Sequence, residues 1–241
     1  SMIAENISHD SIVGYKTFHL KKDGSYDCVE DKINYDYYDL DDYNYNQIEY
    51  DLFQGIGDEK EKIGYKICTF AEHKDGSKSV LPRILQNLLK ARKDTRKTMK
   101  YKKVTTKDGK VFSGLYEENE DNIILKTVEG EKFVIEKNNM ESKVDLYNDF
   151  EKAVLDGQQL AYKVTCNSVY GQVGASTSPI CFKELAASTT ATGRKMVITA
   201  RDITLENYKG SKLVYGDTDS IFVNFVDYIK EKYGENLSKT E

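Results

Sequence analysis

Two carboxylates with one residue between them, Asp217 and Asp219, stand where two apolar runs meet in LVYGDTDSIFVNF, residues 213–225. If residues 213–215 and 220–226 are paired strands, GDTD is the turn between them and both carboxylates sit at one hairpin tip. Buried like charges this close are unfavourable unless a cation neutralises them. Magnesium takes a few carboxylates together with phosphate oxygens in octahedral geometry, so the tip suits a metal and nucleotide site. An ordinary polar turn capped by its own side chains has the same residues.

Two further groups could handle phosphate. In QLAYKVTCNSVYG, Gln159, Lys163, Asn167 and Tyr170 fall at i, i+4, i+8 and i+11, so on a helix they share one face. A lysine there is a mobile point charge for phosphate, an asparagine can bond a sugar or base, and a tyrosine offers a flat ring with a hydroxyl. A solvated stripe would show the same spacing. In LLKARKDTRK, Arg92 and Arg96 lie one helical turn apart with Lys93 and Lys97 beside them, opposite a leucine stripe. Guanidinium forks grip phosphate oxygens in two places, which suits a triphosphate clamp, although a plain basic face reads alike. A phosphate clamp on two helices and a carboxylate pair on a hairpin are together the parts for two-metal phosphoryl transfer.

The elements that must position these groups are legible in outline. SVLPRILQNLLKARKDTRKTMKYKK reads as a helix opened near Pro82, with Ile84, Leu85, Leu88 and Leu89 at helical spacing. KVFSGLYEEN, DNIILKTVEG and EKFVIEKNNM are short strand-like runs separated by Gly, Asn and Asp turns, a small β module between two helices. NDFEKAVLDGQQLAYKVTCNSVYG is the second helix, ending at Gly171, and KELAASTTATGRKMVITARDITLENY a third, rich in small residues that permit close packing. NQIEYDLF and IGYKICTF read as a hairpin, and residues 34–45, where acids alternate with tyrosines, as a solvated loop. SMIAENISHDSIV reads as a short helix already under way, without an initiator Met, so a fragment is expected.

At 241 residues the chain can bury a real core as one large domain or two small ones. A net charge of -5 argues weakly against a nucleic-acid partner, but the charge is segregated. KARKDTRKTMKYKK is strongly basic and NYDYYDLDDYNYNQIEYD acidic, which favours a polyanion at one face. The four cysteines, Cys28, Cys68, Cys166 and Cys181, have no zinc-type spacing and are expected as reduced thiols. No apolar run is long enough to span a bilayer and no leader is evident, so the expectation is an intracellular protein without a membrane partner.

YGDTDS (215–220) resembles the C motif of family B DNA polymerases, KVTCNSVYG (163–171) resembles their B motif, and LPRILQNLLKARKDTRK is similar to their first fingers helix. The N-terminal SMIAENISHDSIV and the later AASTTATGRK are similar to the versions in large nucleocytoplasmic DNA viruses. The resemblance covers most of the chain; residues 34–51 and 105–144 have no counterpart assigned by it.

The resemblance implies an α+β fold: an antiparallel-sheet palm with antiparallel helical fingers and a small inserted β module. The implied division is palm at 1–79, first fingers helix at 80–104, β module at 105–147, second fingers helix at 148–175 and palm again at 176–241. It implies template-directed DNA synthesis by a DNA-directed DNA polymerase, with Asp219 and Asp217 as catalytic metal ligands for magnesium. Arg92, Arg96 and Lys163 would hold the incoming deoxynucleoside triphosphate, and Asn167 would line its pocket. Tyr170 and Gly171 would form the pocket floor, and Tyr215 and Ser220 would shape the primer end. Implied partners are primer-template DNA, a processivity factor, and the exonuclease and thumb domains of the same polypeptide. The catalytic Asp of the A motif and the Tyr that excludes ribonucleotides would lie just before Ser1, so the fragment alone is expected to be inactive. Implied locations are the host nucleus or a cytoplasmic viral factory. The alternative is a catalytically silent palm and fingers module acting as a DNA-binding scaffold, and the acidic β module is expected to contact protein or act as a spacer.

Overall fold

The computed structural model describes every residue except 56, 218 and 235–241. In chain order it contains β1 (Ile12–Leu20), β2 (Tyr26–Asp31), β3 (Tyr43–Gln54), β4 (Glu61–His73) and α1 (Val80–Thr98). There follow β5 (Tyr101–Thr106), β6 (Val111–Glu118), β7 (Asn122–Lys126), β8 (Lys132–Glu136) and β9 (Met140–Asp145). The chain continues with α2 (Asp149–Gly174), α3 (Lys183–Asn207), β10 (Lys212–Asp217), β11 (Ser220–Asn224) and α4 (Val226–Tyr233). The class is α+β, as expected from the sequence. Two compact units divide the chain, Ser1–Pro82 with Val173–Glu241, and Arg83–Gln172.

The first unit is built on a four-stranded antiparallel sheet of order β2-β1-β4-β3. β4 is an inner strand and is covered on both faces at its middle, where Cys68 and Phe70 are 0 % and Thr69 1 % exposed. Burying a side chain such as Phe70 contributes roughly 1.5–3 kcal/mol. β3 and β4 form the expected hairpin, but β3 begins at Tyr43, so the end of the acidic tyrosine run is strand and not loop. The Tyr43 and His73 rings meet at 4.1 Å with a tilt of 38°, and Tyr45 pairs with Ala71 in the register. Packing along β4 thus overrides the polar composition there.

α3 packs against β3, β10 and β11, and its buried residues are Leu185, Ser188, Thr189 and Thr192. These fall at i, i+3, i+4 and i+7, and all but the leucine are small, which lets the helix approach closely. Glu184 on the same helix receives an ion pair from Lys66 at 2.8 Å, and the Lys66 ammonium also lies 4.0 Å from the centre of the Tyr15 ring.

Residues 2–6 are turns, not the helix expected from the sequence. Asn6 takes a left-handed φ of 50° and spends its amide on distant backbone, which stops a helix from propagating. Its Nδ2 donates to the Ala71 carbonyl at 2.8 Å and to Ser79 Oγ at 2.9 Å, while its Oδ1 accepts from the Ser79 amide at 2.9 Å. The Val80 amide donates to Asp10 at 3.1 Å and the Leu81 amide to Ser8 Oγ at 3.3 Å. The orphan amides at the start of α1 are therefore capped by residues some 70 positions away.

The second unit holds the rest of α1, the β module and most of α2. α1 stops at Thr98, short of the expected basic end, because the chain changes period. Tyr101, Val104 and Thr106 are buried while Lys103 is exposed, and these β-branched and aromatic residues suit a pleated surface better than another helical turn. The module is a five-stranded antiparallel sheet of order β8-β7-β6-β5-β9, with a 3-10 turn at Lys137–Asn139 before the last strand returns beside the first. Val104, Ile123, Leu125 and Ile135 form its own core, flanked by Phe112, Tyr116, Phe133 and Met140. Among the described residues no helix is long and apolar enough to cross a membrane.

Candidate catalytic and nucleotide-binding site

In the first unit β10 and β11 pair antiparallel as Asp217 with Ser220, Gly216 with Ile221 and Tyr215 with Phe222, and a bulge lies between Leu213 and Tyr215. Continuous apolar runs rich in β-branched and aromatic residues, 213–215 and 221–223, make them strands. Asp217 is the last residue of β10 and Asp219 lies in the turn; Thr218 lies outside the described residues. Ser220 Oγ donates to the Asp217 carbonyl at 3.4 Å, and the Tyr215 and Phe222 rings lie 6.0 Å apart.

Both aspartates are exposed, which corrects one premise of the sequence argument. Solvent screens their repulsion in this chain, so burial does not by itself demand a cation. The donor chemistry still fits a hard cation, since carboxylate oxygens are the ligands that magnesium selects. Among the described residues no group of three or more His, Cys, Asp or Glu is placed to hold a metal ion.

In the second unit Gln159, Lys163, Asn167 and Tyr170 lie on α2 as the spacing requires; Gln159 is half-buried and the other three are exposed. Gly171 is also within this helix, which runs on to Gly174. Arg92 on α1 is half-buried, and its Nε donates to Gln159 Oε1 at 3.1 Å. That bond ties α1 to α2 and leaves the terminal guanidinium nitrogens without another partner among the described residues. Gln159 is itself held by its Nε2, which donates to Asp156 at 3.1 Å. Arg96, one turn beyond Arg92, is exposed, as is Lys163, and neither is in an ion pair among the described residues. The structure thus brings Arg92 to α2, and Tyr215 and Ser220 to the aspartate hairpin.

Sequence reasoning gave Gln159 no role beyond its face and missed the capping residues Asn6, Ser8 and Asp10 altogether. Their types are those of helix caps, but the helix they cap is remote in sequence, where a local search does not look.

A family model described as DNA polymerase family B matches residues 124–235, a stretch that holds both KVTCNSVYG and YGDTDS. The chain belongs with the family B DNA polymerases. It is 51% identical to a DNA polymerase of Pyramimonas orientalis virus over 97% of this chain and 18% of that protein. It is 33% identical to a DNA polymerase of Phaeocystis pouchetii virus over 93% of this chain and 19% of that protein. It is also 39% identical to the DNA polymerase delta catalytic subunit of Schizosaccharomyces pombe over 35% of this chain and 9% of that protein. The chain therefore spans about a fifth of the length of the two viral relatives. The 97% coverage extends across the tyrosine-rich segment and the β module, to which the sequence alone assigned no counterpart.

Proposed function

We propose that the chain is the nucleotidyl-transfer segment of a DNA polymerase that extends a primer along a DNA template. The observation that carries this reading is the family B match over one stretch containing both the Lys163 helix face and the Asp217/Asp219 hairpin tip. Residues 1–79 and 176–241 form the palm in this reading, and α1 and α2 the fingers, with the β module between them.

Arg92 and Lys163 bind the triphosphate of the incoming deoxynucleotide, joined by Arg96. The bond from Arg92 Nε to Gln159 fixes the guanidinium plane, so its terminal nitrogens are preorganised for phosphate oxygens. Lys163 adds a mobile positive charge where negative charge accumulates on the leaving group. Asn167 lines the nucleotide pocket, Tyr170 and Gly171 form its floor, and Tyr215 and Ser220 shape the place of the primer end. The primer 3′-hydroxyl forms a new bond to the α-phosphorus as the bond to the leaving pyrophosphate breaks, and the hydroxyl proton is released. Asp219, with Asp217 beside it, would hold divalent magnesium, whose Lewis acidity supports both the attacking and the leaving oxygens.

Two carboxylates are too few to hold the metal well, and an upstream Asp completes the set in this reading. The 241-residue chain alone therefore gives no primer extension, and its extension of a primer would count against that completion. The nucleotide assignment is tested by binding of a fluorescent deoxynucleoside triphosphate to this chain. Arg92→Ala and Lys163→Ala each weaken binding about tenfold or more, the scale of one charge-assisted contact. Binding unchanged in both variants would remove these residues from the triphosphate site.

A further inference from the structure

α1 carries a second set of cations on another face. Arg83, Gln86, Lys90, Lys93 and Lys97 follow one another at steps of three and four, and Lys100 continues the series just past the helix end. All six are exposed, whereas Leu85 is buried and Arg92 half-buried on other faces. At about 100° per residue Lys90 points roughly 160° away from Arg92, so this stripe does not belong to the contact with Gln159.

None of the five cations is in an ion pair among the described residues. Asp94 is the only acid in α1, although the chain as a whole is acidic. Like charges three and four residues apart repel and destabilise a helix. The helix dipole explains cations in the last turn but not Lys90 and Lys93, which lie before it. The unpaired row calls for an anionic partner that repeats along a line.

We propose that this stripe is a track for the sugar-phosphate backbone of a nucleic-acid strand, distinct from the Arg92/Arg96 pair. From Arg83 to Lys97 the track runs about 21 Å along the helix. At about 3.4 Å of axis per phosphate that spans roughly six phosphates of one strand. Gln86 adds an uncharged donor within the row, suited to a phosphate or sugar oxygen. The choice of DNA as the strand rests on the polymerase reading; the choice of a linear polyanion rests on the helix.

The test is fluorescence anisotropy of the 241-residue chain with a short oligothymidylate, and with a duplex of equal length, across a salt series. Chelator is present and no nucleoside triphosphate is added. The triple variant Lys90→Gln, Lys93→Gln, Lys97→Gln is compared with the parent and with Lys90→Arg, Lys93→Arg, Lys97→Arg. For a single strand the slope of log affinity against log salt falls by about 2 in the glutamine variant, at about 0.7 for each phosphate that a lysine no longer neutralises. Affinity near 0.1 M salt then drops on the order of 100-fold. On a duplex the same three losses lower the slope by about 2.7, at about 0.9 for each phosphate. The arginine variant keeps the parental slope.

A parental slope and affinity in the glutamine variant would overturn the track. So would polyglutamate of equal charge competing as well as the oligonucleotide, since the partner would then be an acidic protein segment. Triphosphate binding measured on the same variants separates the two readings. If it is absent in the parent while the slope still falls, the nucleotide site fails and the track stands.

Discussion

Replacing Asn6 by alanine tests how the first unit holds the start of α1. Asn6 is 1 % exposed and makes three side-chain hydrogen bonds, two as donor to Ala71 and Ser79 and one as acceptor from the Ser79 amide. Each such bond contributes about 1 kcal/mol net, so their loss costs about 3 kcal/mol. Alanine must also hold the left-handed φ of 50°, which adds about 1 kcal/mol. Asn6→Ala should therefore destabilise by about 4 kcal/mol and Asn6→Gly by about 3 kcal/mol, the difference reading the backbone alone. Urea unfolding followed by circular dichroism gives both values, and hydrogen exchange supplies a local check. The Ser79 amide should lose protection in Asn6→Ala, while the Val80 amide, held by Asp10, keeps more of its own. A cost below about 1 kcal/mol with Ser79 protection intact would refute the long-range cap.

Three more outcomes follow from particular contacts. Lys66 and Glu184 are paired at 2.8 Å with side chains only 13% and 16% exposed, so Lys66→Met should cost roughly 2–4 kcal/mol by stranding the carboxylate. Adding Glu184→Leu should recover most of that in the same unfolding assay; a double variant as unstable as the single one would contradict it. Asp145 sits between Lys102 and Lys152, and hydrogen bonds from these lysines hold its carboxyl down at about 2. Because the folded value lies below the unfolded one, its stabilisation is full above about pH 4 and is lost as pH falls through about 2. The Asp145 carboxyl resonance should titrate near 2, and a midpoint near 4 would contradict the pairing. Burial pushes the Cys68 thiol up, whereas Cys28 is exposed, so a thiol reagent should label Cys28 in the folded chain and Cys68 only on unfolding. Labelling of both at one rate would show that the sheet centre is open.

The parts of the fold that could be read in advance are those with a clean period. α3 and the 213–225 hairpin follow from apolar spacing and from the Gly–Asp punctuation between two β-prone runs. β1 and β2 escaped because Ile12–Leu20 mixes Lys, His and Thr into its alternation, and Tyr26–Asp31 is mostly exposed and acidic. The end of α1 was overrun because Lys100, Lys102 and Lys103 look like a continued basic helix, and only the burial of Tyr101 and Val104 marks the change to strand. At the site, residue types and helix faces were legible in the motifs. The exposure of Asp217 and Asp219, the Gln159 bond that orients Arg92, and the caps at Asn6 and Asp10 depend on tertiary neighbours, which no local pattern encodes.

The central claim is that Asp219 serves nucleotidyl transfer together with the Lys163 helix. The direct measurement is primer extension by the longer polymerase that contains this segment, with magnesium and deoxynucleotides, in parental, Asp219→Ala and Lys163→Ala forms. Asp219→Ala should abolish extension at every nucleotide concentration while primer-template binding persists, and Lys163→Ala should raise KM for the nucleotide. Extension by Asp219→Ala at the parental rate would contradict the assignment of the hairpin tip.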